Sequence, residues 1–258
     1  MTFLVSALVA VGLVTALFLY ADRVKRYDLI DSLWGPGFAV IAIVTALLAD
    51  GDPTRQWHVT VLTAVWGLRL GAYIFARNRK KSEDQRYVDI MRRAKGNPRL
   101  HMYRVYLIQA AIMWVVSLPV QVALHLDAPM NVLDVLAIVI WLVGFTFESV
   151  GDWQLAQFKA DPASKGAVMD RGLWRYTRHP NYFGDAVVWW GLFLFALHTW
   201  AALLTVVSPL VMTFLLAKGT GKPLLEKDIG QRRPGYAEYV RRTSSFIPMP
   251  PKKVTPAG

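Results

Sequence analysis

The run Ala186-Val187-Val188-Trp189-Trp190-Gly191-Leu192-Phe193-Leu194-Phe195-Ala196-Leu197-His198-Thr199-Trp200-Ala201-Ala202-Leu203-Leu204-Thr205-Val206-Val207-Ser208-Pro209-Leu210-Val211-Met212-Thr213-Phe214-Leu215-Leu216-Ala217 decides how the chain is folded. No charged side chain interrupts it. One helix crosses a bilayer with about 20 apolar residues, so a run of about 32 is too long for a single crossing. The polar patch His198-Thr199-Trp200 near its middle predicts a tight turn between two short helices. Five further apolar runs precede it, near 2–20, 29–49, 57–76, 105–126 and 132–151. Each has about 18–22 residues, enough for one crossing. The sum is an all-α polytopic membrane helical bundle of about seven transmembrane helices.

Charge gives an independent reading of the same split. The chain of 258 residues carries a net charge of +11 and is 54% hydrophobic. With the N-terminus outside, 27 of the 29 Lys and Arg residues fall in inner loops and the C-terminal tail. Arg55 alone lies in an outer loop, and Arg69 lies inside a span. Cytoplasmic loops are enriched in Lys and Arg. With six spans the basic tail would be outside, so the bias selects seven, with a cytoplasmic C-terminus. Topology therefore accounts for the positive charge before nucleic acid does. Cysteine is absent, which excludes disulfides, thiol catalysis and thiolate ligation. The first run lacks a basic leader and a good cleavage site, so it reads as an anchor. The whole of 1–258 reads as one integral membrane domain, with 249–258 a disordered tail.

The densest polar stretch is Arg175-Tyr176-Thr177-Arg178-His179-Pro180-Asn181-Tyr182-Phe183-Gly184-Asp185. Arg175, Arg178 and His179 offer donors to a phosphate. Pro180 suits the first turn of a helix, whose free N–H groups favour an anion. Asn181 and Asp185 then share a face and suit ribose or amide groups. The plainer alternative is a membrane edge of snorkelling Arg and an aromatic belt. Glu148 and Asp152 also lie one turn apart, at the inner end of the fifth run, and should face protein rather than lipid. Their plainer role is to balance nearby Arg. Lys159 lies two turns beyond Asp152, within reach of a phosphate.

Asp31, beside Trp34, opens the second run, and Arg69 and Tyr73 lie four apart in the third. A charged Arg within a span needs a partner, and Asp31 is the candidate; a structural ion pair is the other reading. The basic 77–104 loop is suited to anionic lipid, with Arg79 or Lys80 placed to meet a 2′-phosphate. Gly219-Thr220-Gly221-Lys222 is a fragment of a P-loop without its strand or first glycine. The five His residues lack metal-ligand spacing, so no metal is expected. Leu224 to Tyr239 reads as a short amphipathic segment, either a lid over the mouth or a membrane-surface helix.

Gly172-Leu173-Trp174-Arg175-Tyr176-Thr177-Arg178-His179-Pro180-Asn181-Tyr182-Phe183-Gly184-Asp185 resembles the C-terminal signature of the steroid 5-alpha reductase superfamily, and more closely its bacterial branch of membrane proteins. The resemblance runs from about Asp28 to Pro248 and takes in Asp31-Ser32-Leu33-Trp34-Gly35, Asp161-Pro162 and Pro223-Leu224-Leu225-Glu226. It implies a seven-helix bundle that binds NADPH on its cytoplasmic side and reduces a carbon–carbon double bond conjugated to a ketone in a lipid. Asn181 and Asp185 match cofactor-contacting positions, Asp152 a family aspartate and Lys159 a family basic residue. Glu148 stands where Asn is common. The remaining cofactor-binding candidates are Tyr176, Arg178, His179, Tyr182, Arg79 and Glu226. Asp31 falls near the glutamate that polarises the ketone, while Ile30 and Trp66 replace its Gln and Tyr companions. Asp31, assisted by Arg69 or Tyr73, is therefore the expected catalytic group.

Arg178-His179-Pro180-Asn181-Tyr182-Phe183-Gly184 is also similar to the motif with which isoprenylcysteine and phospholipid methyltransferases bind S-adenosylmethionine. Those enzymes usually carry a Glu pair later in the chain, where Glu226-Lys227 supplies one. Three readings follow: an NADPH-dependent reductase of a lipid-soluble small molecule, a membrane methyltransferase, or a lipid-binding protein without catalysis. All three place a multi-pass protein in a membrane, the inner membrane if the source is bacterial, with no nucleic acid as partner. The topology is checked with reporters: one fused after Gly258 should report cytoplasm and one inserted at Asp52 the outside. A C-terminal reporter found outside removes the seven-span arrangement.

Overall fold

The computed structural model describes residues 1–219 and 233–253. Glu226, most of the P-loop fragment, the 224–228 part of the amphipathic segment and the last five tail residues lie outside the described residues. Among the described residues the secondary structure is helical, and the β pairing is one isolated parallel bridge between Thr177 and Ser244. The helices are α1 (Thr2–Val24), α2 (Leu29–Leu48), α3 (Pro53–Asn78), α4 (Gln85–Arg92), α5 (Pro98–Val116), α6 (Leu118–Leu124), α7 (Val132–Ala160), α8 (Pro180–Ala196), α9 (Val207–Ala217) and α10 (Tyr236–Arg242). A 3₁₀ turn, Trp200–Val206, leads into α9.

Among the described residues, five helical segments are long and apolar enough to cross a membrane: α1, α2, α3, α7 and the 3₁₀ turn with α9. The pair α5 and α6 makes a sixth, bent by 42°. The bend sits at Ser117 and Pro119, where proline supplies no N–H to the preceding turn. α8 has 17 residues, at the short end of the spanning range. The chain is thus a polytopic helical membrane protein. The long apolar run is broken where its polar patch predicts: α8 ends at Ala196, and Thr199 Oγ1 accepts from Ala202 N (3.3 Å) to start the next turn.

The chain divides into two compact units, Met1–Asn131 with Phe195–Ser208, and Val132–Leu194 with Pro209–Gly258. In the first, α2 and α3 approach until their backbones touch. A Cβ on Gly35 would collide with the Gly67 carbonyl, one on Gly67 with that of Gly35, and one on Gly71 with the Pro36 ring. Small residues at a helix interface permit such van der Waals packing, which in lipid replaces the hydrophobic driving force. A buried cluster of Val14, Phe18, Ala21, Tyr27, Ile30, Tyr87, Met102, Tyr106 and Ala110 binds α1, α2, α4 and α5. Three interior polar side chains are linked in a chain: Ser6 Oγ donates to Gln121 Oε1 (2.6 Å) and Gln121 Nε2 to Ser117 Oγ (2.7 Å).

Two charges differ from their sequence reading. Arg55 is not an exposed outer-loop cation but is fully buried. Its guanidinium donates to Phe195 O (3.2 Å), Ala128 O (3.1 Å) and Pro129 O (3.2 Å) and meets His198 Nε2 at 2.7 Å. The chain folds carbonyls around a cation that lipid would reject. Glu83, from the basic loop, caps α2: it accepts from Tyr27 N (2.7 Å) and Asp28 N (2.9 Å). Burial pushes its carboxyl above the usual range, against the pull of those two N–H groups. The tail also differs from a loose end at 249, since Met249 N donates to Tyr176 O (3.0 Å) and Lys252 N to Arg242 O (2.9 Å).

Glu83 therefore pins the basic loop to the start of α2. Glu83→Ala strands two donors and should lower stability by about 1–3 kcal/mol. Thermal melts in detergent check this; an unchanged melting temperature would show that the cap contributes nothing.

Candidate functional site

The polar cluster read from the sequence collects on one seam of the second unit. α8 opens at Pro180, as its φ and missing N–H favour. α8 runs against α7 through four glycines. A Cβ on Gly144 would lie 2.6 Å from Val188 N, and one on Gly191 2.8 Å from Trp141 N. A Cβ on Gly184 would strike Glu148 N and Gly144 O, and one on Gly151 would lie 3.1 Å from Asn181 N. Glu148 lies between the α7 glycines and Asp152 directly follows Gly151, while Asn181 and Asp185 flank Gly184 on α8. Glu148, Asp152 and Asp185 are buried, at 2%, 3% and 7% exposure. Three carboxylates held this far from water mark a built polar site rather than a charged surface.

Asn181 joins the two helices. Its Nδ2 donates to Asp152 Oδ1 at 3.0 Å. Its Oδ1 is buried and accepts no hydrogen bond among the described residues. An acceptor left in that state costs about 1–3 kcal/mol, a cost that an arriving N–H or O–H donor would relieve. Beside it the rings of His179 and Tyr182 stack at 5.5 Å with an 8° interplanar angle. Phe147 and Phe183 meet edge to face at 5.3 Å and close the apolar side of the seam.

The segment before α8 is fixed by its own glycine. Gly172 has φ +57°, and a Cβ there would run into the Gln154 amide. Gln154 Oε1 accepts from Leu173 N (3.0 Å), and Trp174 Nε1 donates to Gly151 O (3.0 Å). The C-terminal segment covers the other side: Tyr239 OH donates to Trp174 O (2.6 Å) and Thr177 Oγ1 to Phe246 O (2.8 Å). Burial holds the Tyr239 phenol above its ordinary range, so it stays a donor. Arg242 pairs with Asp170.

Arg178 has a role its motif did not reveal. Its Nη1 donates to Val240 O (3.2 Å), in the last turn of α10, and to Thr243 O (3.1 Å), the residue that ends it. A cation at a helix C-terminus satisfies orphan carbonyls and the dipole. No local pattern announces this, because the partners lie some 60 residues away. Arg175, Tyr176 and Lys159 are exposed at this end of the unit.

The other candidates lie in the first unit. Asp31 does not take Arg69 as its partner. Its Oδ2 accepts from Arg86 Nη2 and its Oδ1 from Tyr87 OH, each at 2.6 Å. The reason is α4, which lays Tyr87, Ile90 and Met91 of the basic loop into the core. Burial and the Asp31 charge push the Tyr87 phenol well above its ordinary value, so it donates. The i, i+3, i+4 spacing of Tyr87, Ile90 and Met91 was the available signal. Arg69 and Tyr73 are half-buried on α3, with Arg77 over the Tyr73 ring at 5.7 Å. Arg79 is exposed where α3 ends.

With this geometry in place, relatives become informative. Residues 17–243 match the model of a family described as protein of unknown function, DUF1295, and the chain belongs to that family. An uncharacterized protein of Schizosaccharomyces pombe is 22% identical over 253 residues, covering 87% of this chain and 73% of that protein. No solved structure matches significantly.

The seam depends on the absence of side chains. Gly184→Ala places a methyl against the α7 backbone and should lower stability by about 1–3 kcal/mol. Gly12, with nothing within 4 Å of its would-be Cβ, is the control. Gly12→Ala should be neutral or stabilising by up to about 1 kcal/mol. Melting temperatures of both variants test the assignment, which fails if they shift alike.

Proposed function

We propose that this DUF1295 protein is a membrane-embedded, NADPH-dependent reductase that saturates a carbon–carbon double bond conjugated to a ketone in a lipid-soluble, steroid-like substrate. The observation that carries the reading is the buried, unsatisfied Asn181 Oδ1 beside the carboxylates of the α7–α8 seam. The motif from Gly172 to Asp185, which resembles the steroid 5-alpha reductase superfamily, supports it.

The donor set fits the group. Asn181 Oδ1 suits the amino group of a carboxamide, and Glu148, Asp152 and Asp185 suit ribose hydroxyls. Lys159 and Arg175, exposed at the same end, suit phosphates. NADPH supplies a hydride for the β-carbon of the enone. The π pair of the double bond then moves toward the carbonyl, leaving an enolate, and a proton taken from water at the α-carbon completes the saturated ketone. Asp31, Tyr87 and Arg86 are the chain's group for that charge. Arg86 offsets the Asp31 carboxylate, and the Tyr87 hydroxyl, kept protonated by burial and held on Asp31 Oδ1, would have to turn from that carboxylate to donate to an oxyanion. Arg69 and Tyr73 are the assisting candidates on α3.

A ligand at about 100 times its dissociation constant adds about 2.7 kcal/mol to stability. NADPH should therefore raise the melting temperature of the detergent-purified protein, and NADH should do so less. Asn181→Ala should weaken NADPH by about tenfold. Asp31→Asn should retain NADPH binding and slow single-turnover NADPH oxidation against a panel of lipid enones. A shift with S-adenosylmethionine and none with NADPH would transfer the seam to methyl transfer. Silence with both would leave the lipid-binding reading.

A further inference from the structure

The first unit contains a cavity of which only Arg79 is a cofactor candidate from the sequence, and the α7–α8 donor set does not include it. It has a volume of about 210 Å³ and lies where α1 ends, α2 begins and α3 ends. Tyr20, Val24, Leu29 and Phe75 form its apolar wall, and Arg26, Asp28, Ser32, Asn78 and Arg79 its polar floor and mouth. Tyr20, Val24 and Phe75 are 57%, 43% and 52% exposed on helices that cross the membrane, so this wall opens toward lipid.

The charges of the cavity are not equivalent. Arg26 is used internally: Nε and Nη2 grip the two Asp28 oxygens at 2.9 and 3.1 Å, and Nη2 also reaches Asn78 O at 3.3 Å. Asp28 is buried and its charge is offset by that grip. Arg79 is exposed and has no carboxylate partner among the described residues. Its backbone N–H closes α3 on Phe75 O (2.8 Å), which fixes where the guanidinium departs. The cavity therefore presents one uncompensated guanidinium above an apolar, lipid-facing cleft.

We infer that this cavity is a binding site for an anionic phospholipid, with the phosphate on Arg79 and the upper acyl chain against Tyr20, Val24 and Phe75. A phosphate answers the guanidinium in a two-pronged contact that a zwitterionic headgroup matches less well in net charge. The apolar wall explains why a lipid suits the site better than a free phosphate, which would leave that wall in water. The pattern also differs from a diffuse basic surface, because Arg77, two residues earlier, lies over the Tyr73 ring instead.

The test uses the full chain in detergent, titrated with dioleoyl phosphatidylglycerol, dioleoyl phosphatidylcholine or inorganic phosphate, and read by native mass spectrometry and melting temperature. Phosphatidylglycerol should bind and stabilise, and phosphatidylcholine should bind more weakly. Arg79→Gln should weaken phosphatidylglycerol by about tenfold, the worth of one charge-assisted contact. Arg77→Gln should leave it unchanged. Val24→Trp keeps the charge and fills the cleft, so it should weaken the lipid as well. Circular dichroism of each unliganded variant establishes that it is folded. Equal binding of the two lipids, wild-type affinity in both Arg79→Gln and Val24→Trp, or full stabilisation by inorganic phosphate alone each overturns the lipid site.

Discussion

Helices in lipid gain little from hiding apolar surface, so what brings them together must be contact between backbones. In this chain that contact is made by glycine. Gly35 and Gly67 bring α2 and α3 together, and Gly144, Gly151, Gly184 and Gly191 do the same for α7 and α8. The second seam has the greater consequence. Because α8 lies on the α7 backbone, Glu148, Asp152, Asn181 and Asp185 are enclosed by protein and by one another. A wider spacing would admit lipid or water between the helices. In that setting three buried carboxylates would be intolerable.

That enclosure also makes the site's chemistry strong. Hydrogen bonds in a low-dielectric interior are stronger, and unmet polar atoms there are correspondingly costly. Asn181 embodies both effects: one end of its amide ties α8 to Asp152, and the other presents an acceptor with no partner among the described residues. A purely structural asparagine would gain by using both ends. The stacked His179 and Tyr182 add a flat surface at the same opening of the helix. The segment that leads into it is held by Gly172, Gln154 and the C-terminal residues 239–249.

How much of this is legible in the sequence depends on the range of the interaction. The helices follow from apolar runs and from Pro180, and the break near His198 follows from a polar patch, because these are local effects. Glu148 with Asp152, and Asn181 with Asp185, are legible as faces because helical spacing places them. Partners distant in the chain are not. Asp31 meets Arg86 and Tyr87 because an eight-residue helix inserts its apolar face into the core. Arg178 meets α10 because the C-terminal segment folds back. Charge alone could nominate Arg69 for Asp31 and a phosphate for Arg178, since it carries no information on which backbone returns.

The same distinction reorganises the positive charge. Counted along the sequence, the inner cations form one uniform signal of orientation. In the structure they divide by what they touch. Arg26 neutralises Asp28, Arg86 serves Asp31 and Asp84, Arg99 lies 3.0 Å from Asp22, Arg178 caps α10, and Arg242 pairs with Asp170. Each of these fixes a loop to a helix end and is bound to one place. Arg175 and Arg79 instead project outward at a loop end and a helix end. Orientation in the membrane is a property of the whole set, whereas recognition of a phosphate belongs to the cations not consumed in holding the fold. A basic residue's place in the chain thus says which side of the membrane it marks, and its neighbours say whether it is still available to a ligand.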